Sequence, residues 1–300
     1  LMGPLLTLNE YGILRAALQA GVVDVECSLD LGRTTAAVAV DADGWVWQER
    51  RFPYMDTCKK RTIYYWADET FQPVSRYTTA LIKLVPTEWG PPTFEIDGIK
   101  MLPTAKTSPY ADAERKVALI QPHGKVILDT CGGLGYFAAC CVQGLARQVL
   151  SYEKNPEVIW LREINPWSPP TDAVLSLTRG DICEQIFSLP SASVDAILHD
   201  PPRFGIAGEL YSQVFYDQLV RVIRPGGRMF HYTGSPNRLT RGREVSTEVA
   251  QRRRRGGVVT DRGGGGGGGG KNKAGRRAFF ARNTKSVPME TLFASWRWRG

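Results

Sequence analysis

Long hydrophobic runs are missing from this chain of 300 residues. No segment approaches the ~18 or more uninterrupted apolar residues that cross a bilayer as a helix, so no membrane-spanning helix is expected. The opening LMGPLLTLNE has neither the basic start nor the small-residue cleavage site of a secretory signal. An intracellular protein, cytoplasmic or organellar, is the expectation. Cysteines at redox or metal-ligand spacing are also missing: Cys27, Cys58, Cys131, Cys140, Cys141 and Cys183 form no CxxC pair. In a chain this long, that scatter fits reduced thiols and not a disulfide framework. Only three histidines occur, without paired spacing, and no metal site is expected.

What is present suits a globular protein. Hydrophobic residues make up 43% and charged residues 23%, enough for one large or two ordinary domains with a sizeable core. The net charge of +8 is unevenly placed. Residues 241–300 hold 15 Lys and Arg against 4 Asp and Glu, so the preceding 240 residues sum to a slightly negative charge. A basic end of this kind attracts polyanions, RNA among them, or is simply a solvated segment. It contains eight consecutive glycines, Gly263 to Gly270, which have no side chains to bury and maximal backbone entropy. A flexible Gly/Arg-rich insertion at about 251–277 is expected, with FASWRWRG as the closing strand.

The rhythm of the chain changes part-way. Thr7 and Glu10 have capping-box spacing, and Leu14, Ala17 and Leu18 form an apolar stripe that stops at Gly21. One short helix is predicted there. The runs VVDVECSL, TTAAVAV, WVWQERRF and YTTALIKLV then read as strands separated by turns such as DADG. Residues 1–105 are thus expected to form a small helix-plus-β domain suited to substrate recognition. EWGPPTFEIDGIKMLPT reads as the passage to a second domain, 106–300. In that domain KVILDT, QVLSYE, AVLSLT, VDAILHD and GRMFHYT alternate with helical stretches. Buried apolar strands alternating with helices predict an α/β, doubly wound, mostly parallel sheet. Such a sheet binds its ligand beyond the carboxyl ends of its strands.

The decisive segment is Val126-Ile-Leu-Asp-Thr-Cys-Gly-Gly-Leu-Gly-Tyr136. A strand ends at Asp129 and a glycine turn leads into a helix, a place where backbone amides can approach a ligand. The next strand ends at Glu153, whose carboxylate can accept from both ribose hydroxyls of an adenosine. One strand later Asp181 can accept from the adenine amine. Gly133-Leu-Gly-Tyr-Phe-Ala138 also fits the dinucleotide fingerprint, with Glu153 twenty residues beyond Gly133. Asp129 decides between them: a carboxylate there would face a pyrophosphate unfavourably but suits the ammonium of a methionine moiety.

The pattern closely resembles the class I S-adenosylmethionine-dependent methyltransferases, with Cys131 in place of the first glycine of their loop. Within that superfamily DTCGGLGY, NPWS (Asn165 to Ser168), HDPPRF and GELY resemble predicted methyltransferases of archaeal and cyanobacterial type. The resemblance covers most of residues 20–245. It implies S-adenosylmethionine as cofactor, held by Asp129, Cys131, Gly133, Gly135, Glu153 and Asp181, and leaves the acceptor open. It also places Asp200-Pro201-Pro202-Arg203-Phe204 against the methyl group. Enzymes that methylate base amines carry an aromatic residue directly after the two prolines. Here Arg203 takes that position and Phe204 follows it, which weakens the base-amine reading. Asp200, Pro201, Arg203 and His231 are the candidate acceptor-site residues, with His231 a candidate base. RNA is the favoured acceptor, on the basic end and Phe204.

Three other functions compete. A polyamine-making aminopropyltransferase shares the sheet but needs a carboxylate-lined channel, which Arg203 beside Asp200 argues against. A nicotinamide oxidoreductase would use the dinucleotide fingerprint. A non-catalytic adenosylmethionine-binding module would keep the loop without turnover.

Overall fold

The computed structural model describes residues 3–202 and 207–232 and, toward the C-terminus, the backbone of segments 238–239, 243–244, 259–261, 277–279 and 291–297. The chain divides into two compact units, Leu1–Asp112 with Glu157–Ser168, and Ala113–Pro156 with Pro169–Gly300.

The first unit begins with β1 (Leu5–Leu6) and α1 (Leu8–Ala20). The capping box is formed: the Thr7 amide donates to Glu10 Oε2 at 2.9 Å and the Asn9 amide to Thr7 Oγ1 at 3.2 Å. Gly21 ends the helix in the left-handed conformation, its amide satisfying the last-turn carbonyls. Then come β2 (Asp24–Cys27), β3 (Ala36–Asp41), β4 (Gly44–Trp47) and β5 (Arg50–Phe52), an antiparallel four-stranded sheet. WVWQERRF, read above as one strand, is two. Gln48 and Glu49 both have positive φ, 48° and 62°, and close a two-residue hairpin whose twist matches its strands. Trp45 stacks on Phe52 at 4.7 Å between ring centroids, and Leu6, Leu14, Val38 and Val40 complete this core.

β6 (Tyr64–Ala67) and β7 (Thr70–Pro73) pair with β1. β8 (Ser75–Tyr77), β9 (Leu81–Val85), β10 (Thr93–Ile96) and β11 (Ile99–Lys100) form a third sheet. This corrects the reading of EWGPPTFEIDGIKMLPT as an interdomain passage. Its Asp97-Gly98 dipeptide, at φ 49° and 76°, turns β10 into β11, and β10 pairs along its whole length with β9. The prolines before it hid a hairpin signal of the Asp-Gly type.

The second unit holds most of α2 (Pro109–Ile120) and the large sheet. Its strands are β12 (Val126–Asp129), β13 (Gln148–Glu153), β14 (Leu175–Arg179), β15 (Val194–His199) and β16 (Ile223–Tyr232), all parallel and ordered 14-13-12-15-16. Between them run α3 (Tyr136–Gln143), α4 (Pro156–Ile164), α5 (Ile182–Gln185) and α6 (Gln213–Val222). α4 makes its contacts mainly within the first unit, where Trp160 packs on Tyr65 and takes the Arg76 guanidinium at 3.8 Å over its ring. Arg224-Pro-Gly-Gly227, a turn by its residue types, lies inside β16. The register jumps from Val194↔Ile223 to Ala196↔Arg228, so the strand bulges there.

A short ribbon, β17 (Arg238–Leu239) with β18 (Arg243–Glu244), follows. β19 (Val259–Asp261), β20 (Arg277–Phe279) and β21 (Thr291–Arg297) extend the sheet beyond β16. β21 contains most of FASWRWRG and runs antiparallel to β16. The sheet therefore departs from the 3-2-1-4-5-6 order of dinucleotide-binding folds, whose sixth strand follows the fifth. Gly263 to Gly270 lie outside the described residues. Among the described residues no helix is long and apolar enough to cross a membrane, and the six cysteines are free thiols.

β12 is buried along its whole length, and Val126, Leu128, Ile197, Phe215, Leu219 and Met229 form the core between sheet and helices. Asp195 secures the sheet's amino end: the Val126 amide donates to it at 2.8 Å and Arg224 pairs with it. Burial pushes this carboxyl up, but the Val126 amide and the Arg224 guanidinium outweigh it and hold the acid below its ordinary range. Asp195→Asn is expected to lower stability by about 1–3 kcal/mol. That loss should be fully present above the unfolded carboxyl's pKa of ~3.9 and vanish as pH falls through the lower folded value. Urea melts of both proteins from neutral to acid pH check it; a difference independent of pH would refute the assignment.

Candidate functional site

The switch in strand order lies between β12 and β15, and the loops that follow these strands carry the expected ligand residues. The β12 loop is suspended between its neighbours, with the Thr130 amide on Leu198 O at 3.1 Å and the Gly132 amide on Tyr152 O at 2.7 Å. Gly133 (φ 49°) and Gly135 (φ 83°) take left-handed conformations in the turn, and Gly135 caps α3. A side chain at Gly135 would strain this turn and stand before the helix amides.

Three carboxylates stand at or just after the carboxyl ends of β12, β13 and β14. Asp129 is buried at the strand end, and Ser151 Oγ donates to its Oδ2 at 2.9 Å. Glu153 receives the Gly133 amide on Oε2 and the Asn155 amide on Oε1, both at 2.9 Å. It thereby fastens the glycine loop to the end of β13. Asp181 caps α5 by accepting from the Cys183 amide at 2.8 Å. Lys154 bridges Asp181 at 3.3 Å and Glu209 at 2.9 Å. Its bond to Glu209 raises the Lys154 pKa and lowers that of Glu209. The structure thus brings Asp129, Gly133, Gly135 and Glu153 around one loop, with Asp181 tied by Lys154 to the segment 208–211. Cys131 packs against the core, and burial holds its thiol well above the ordinary value, so it stays protonated.

The β15 end supplies the second half. His199 is fully buried; Thr130 Oγ1 lies 2.7 Å from its Nδ1, and its Nε2 sits 3.2 Å from Leu210 O. A carbonyl only accepts, so Nε2 carries the proton in that bond. His231, the candidate base, is fully buried too, and its Nε2 lies 2.9 Å from the Tyr216 hydroxyl. It pairs across the ladder with His199, 4.6 Å between ring centroids. Strand alternation directs it to the α6 side of the sheet, whereas its neighbours Phe230 and Tyr232 face Lys116. His231 thus packs with Tyr216 and His199.

Asp200 instead meets Lys116 of α2, Nζ to Oδ2 at 3.0 Å, with side-chain exposures of 9% for the lysine and 18% for the acid. The same ammonium lies 5.4 Å, 5.7 Å and 5.1 Å from the ring centroids of Phe137, Phe230 and Tyr232. Pro201 is buried, and the buried Tyr211 hydroxyl donates to Pro202 O at 2.9 Å. Arg203 and Phe204 lie outside the described residues. Lys116 and Lys154 escaped the sequence reading, because both look like ordinary surface lysines until the partner carboxylates are located. Tyr211 was met there within the GELY run, without a role of its own. Among the described residues, no three His, Cys, Asp or Glu side chains are grouped to hold a metal ion.

No family model matches the chain. An uncharacterized protein of Methanocaldococcus jannaschii is 42% identical over 172 residues, 57% of this chain and 59% of that protein. Polyamine aminopropyltransferase 2 of Streptomyces coelicolor is 30% identical over 134 residues, 42% of this chain and 24% of that enzyme. The chain thus spans less than two thirds of the length of either relative. Among solved structures, spermidine synthase of Thermotoga maritima superposes with a TM-score of 0.50, covering 77% of this chain and 75% of its own at 16% identity.

The chain shares its architecture with that solved structure. It is an α/β fold of the Rossmann-like methyltransferase type, with an antiparallel β region before the parallel sheet. Likeness at this identity concerns architecture only and leaves ligand and reaction to be argued from the side chains.

Proposed function

We propose that this protein is an S-adenosylmethionine-dependent methyltransferase acting by direct transfer to its acceptor. The observation that carries the reading is the set of carboxylates at the carboxyl ends of β12, β13 and β14. Asp129, Glu153 and Asp181 offer carboxylate oxygens that suit the cofactor's donors: an ammonium, two ribose hydroxyls and an adenine amine. Each carboxylate oxygen has two lone pairs, so Glu153 can keep its two amide bonds and still receive the ribose. When bound, the cofactor supplies an electrophilic methyl carbon on a sulfonium. Asp200 would orient the acceptor and take its proton, and Tyr211 would hold Pro202 and the loop in place. No covalent enzyme intermediate is needed, since alignment and desolvation lower the barrier. The excess of Arg and Lys in residues 241–300 favours RNA in this reading of the acceptor.

Aminopropyl transfer is the second reading. It is favoured by the likeness to spermidine synthase across 77% of the chain and by the Streptomyces coelicolor relative. Calorimetric titration with S-adenosylhomocysteine, decarboxylated S-adenosylmethionine and NAD tests both. Micromolar binding of S-adenosylhomocysteine, with its release when the protein meets S-adenosylmethionine and a cell RNA fraction, supports methyl transfer. Release of methylthioadenosine from the decarboxylated compound and a diamine would replace it with aminopropyl transfer. Binding of NAD alone would reject both.

A further inference from the structure

The two readings need opposite things of Asp200. Aminopropyl transfer requires an acidic group that takes a cationic amine from outside, whereas here the chain's own ammonium is already there. Lys116 Nζ sits 3.0 Å from Asp200 Oδ2 and within 5.1–5.7 Å of the centroids of Phe137, Phe230 and Tyr232. These are the elements of a cation-binding cage: ring faces that attract positive charge, and a carboxylate that neutralises it in a poorly hydrated place. The rings come from separate parts of the second unit. Phe137 is on α3 just after the glycine loop, and Phe230 and Tyr232 share one face of β16. Lys116 approaches from α2. Asp200 follows β15 directly, so the cage stands at the acceptor end of the proposed site.

We infer that Lys116 is a specificity-determining residue that fills this cage with an internal ammonium and thereby excludes di- and polyamines, leaving the site to a neutral or anionic acceptor. The inference rests on the reading of the β15 end as the acceptor site and narrows it. Like charges a few ångströms apart repel, so a second ammonium cannot share Asp200 while Lys116 is charged. Lys116 already serves as the counter-ion of Asp200, so a competing ammonium finds no unpaired carboxylate there. A nucleic-acid or other anionic acceptor approaches a site that is neutral in sum and meets no such barrier.

The test removes the internal cation and offers an external one. Lys116→Ala deletes the atoms from Cγ to Nζ, which n-propylammonium replaces one for one. Lys116→Met removes the charge but keeps most of the volume. Calorimetry and thermal melts are run on wild type and both variants with n-propylammonium and with 1,4-diaminobutane. The expected pattern is binding of both cations by Lys116→Ala, at least about tenfold tighter than by wild type or Lys116→Met. If Lys116→Ala is destabilised by its unpaired carboxylate, the cations should raise its melting temperature and leave the wild type unmoved. Equal binding of 1,4-diaminobutane by wild type and Lys116→Ala, or none by Lys116→Ala, would overturn the inference. S-adenosylhomocysteine titrated into the same wild-type sample reports separately on the cofactor. Failure there with the cation pattern intact removes the methyl donor and keeps the cage.

Discussion

Glu153→Ala is expected to weaken S-adenosylhomocysteine binding on the order of 100-fold or more. The carboxylate fastens the glycine loop through the Gly133 and Asn155 amides, and in the proposed complex also receives the ribose hydroxyls. Hydrogen bonds to a charged group contribute about 1.5–3 kcal/mol each, and 1.4 kcal/mol is a factor of ten. Truncation removes two such bonds within the protein and those to the ligand together, so affinity and loop order should fall at once. Glu153→Gln separates the two effects. Its amide oxygen still accepts while its NH2 group faces an amide donor, so it should bind ligand more weakly than wild type and better than Glu153→Ala. Calorimetry measures the affinities, and hydrogen exchange at Gly133 and Asn155 reports the loop. Unchanged affinity in Glu153→Ala would remove this residue from the site.

Asp200→Asn is expected to abolish transfer while sparing the cofactor. A carboxylate that takes the acceptor's proton contributes about 10²–10⁴-fold to the rate, and an amide cannot replace it. In the proposed complex the cofactor is held by Asp129, Glu153 and Asp181 and not by Asp200, which follows β15, so S-adenosylhomocysteine affinity should change little. The variant also strands Lys116, an ammonium only 9% exposed, among three rings. Breaking a buried pair by removing one partner destabilises by about 3–5 kcal/mol. Melting temperature should therefore fall, and assays belong well below it. Replacing both partners, Asp200→Asn with Lys116→Met, should recover much of the stability and none of the activity. Transfer at the wild-type rate by either protein would sink the role given to Asp200. Recovery of activity in the pair would reduce Asp200 to Lys116's counter-ion.

The helix and strand signals carried far because they are local. Thr7, Glu10 and Gly21 specify both ends of α1 by backbone bonds within a few residues, and the structure forms them. The parallel strands follow from short apolar runs that are buried on both faces, and the Asp129, Glu153 and Asp200 positions follow because each run ends there. Errors arose where one feature overrode another. The prolines of EWGPPTFEIDGIKMLPT concealed the Asp97-Gly98 hairpin. There pairing with a neighbouring strand, which no local window contains, decided the outcome.

Sequence alone determined the alternation of strand and helix, the glycine loop with its acid-tipped strands, and the uneven charge. These depend on residue type and spacing within one element. Tertiary structure alone decided which charges meet. Lys116 and Asp200 stand 84 residues apart, and Lys154 and Glu209 stand 55 apart. His199 and His231 became core residues because adjacent parallel strands put them in register on the buried side. The physical reason is the same throughout: backbone conformation responds to near neighbours, whereas the charge and accessibility of a side chain depend on whatever the fold packs against it.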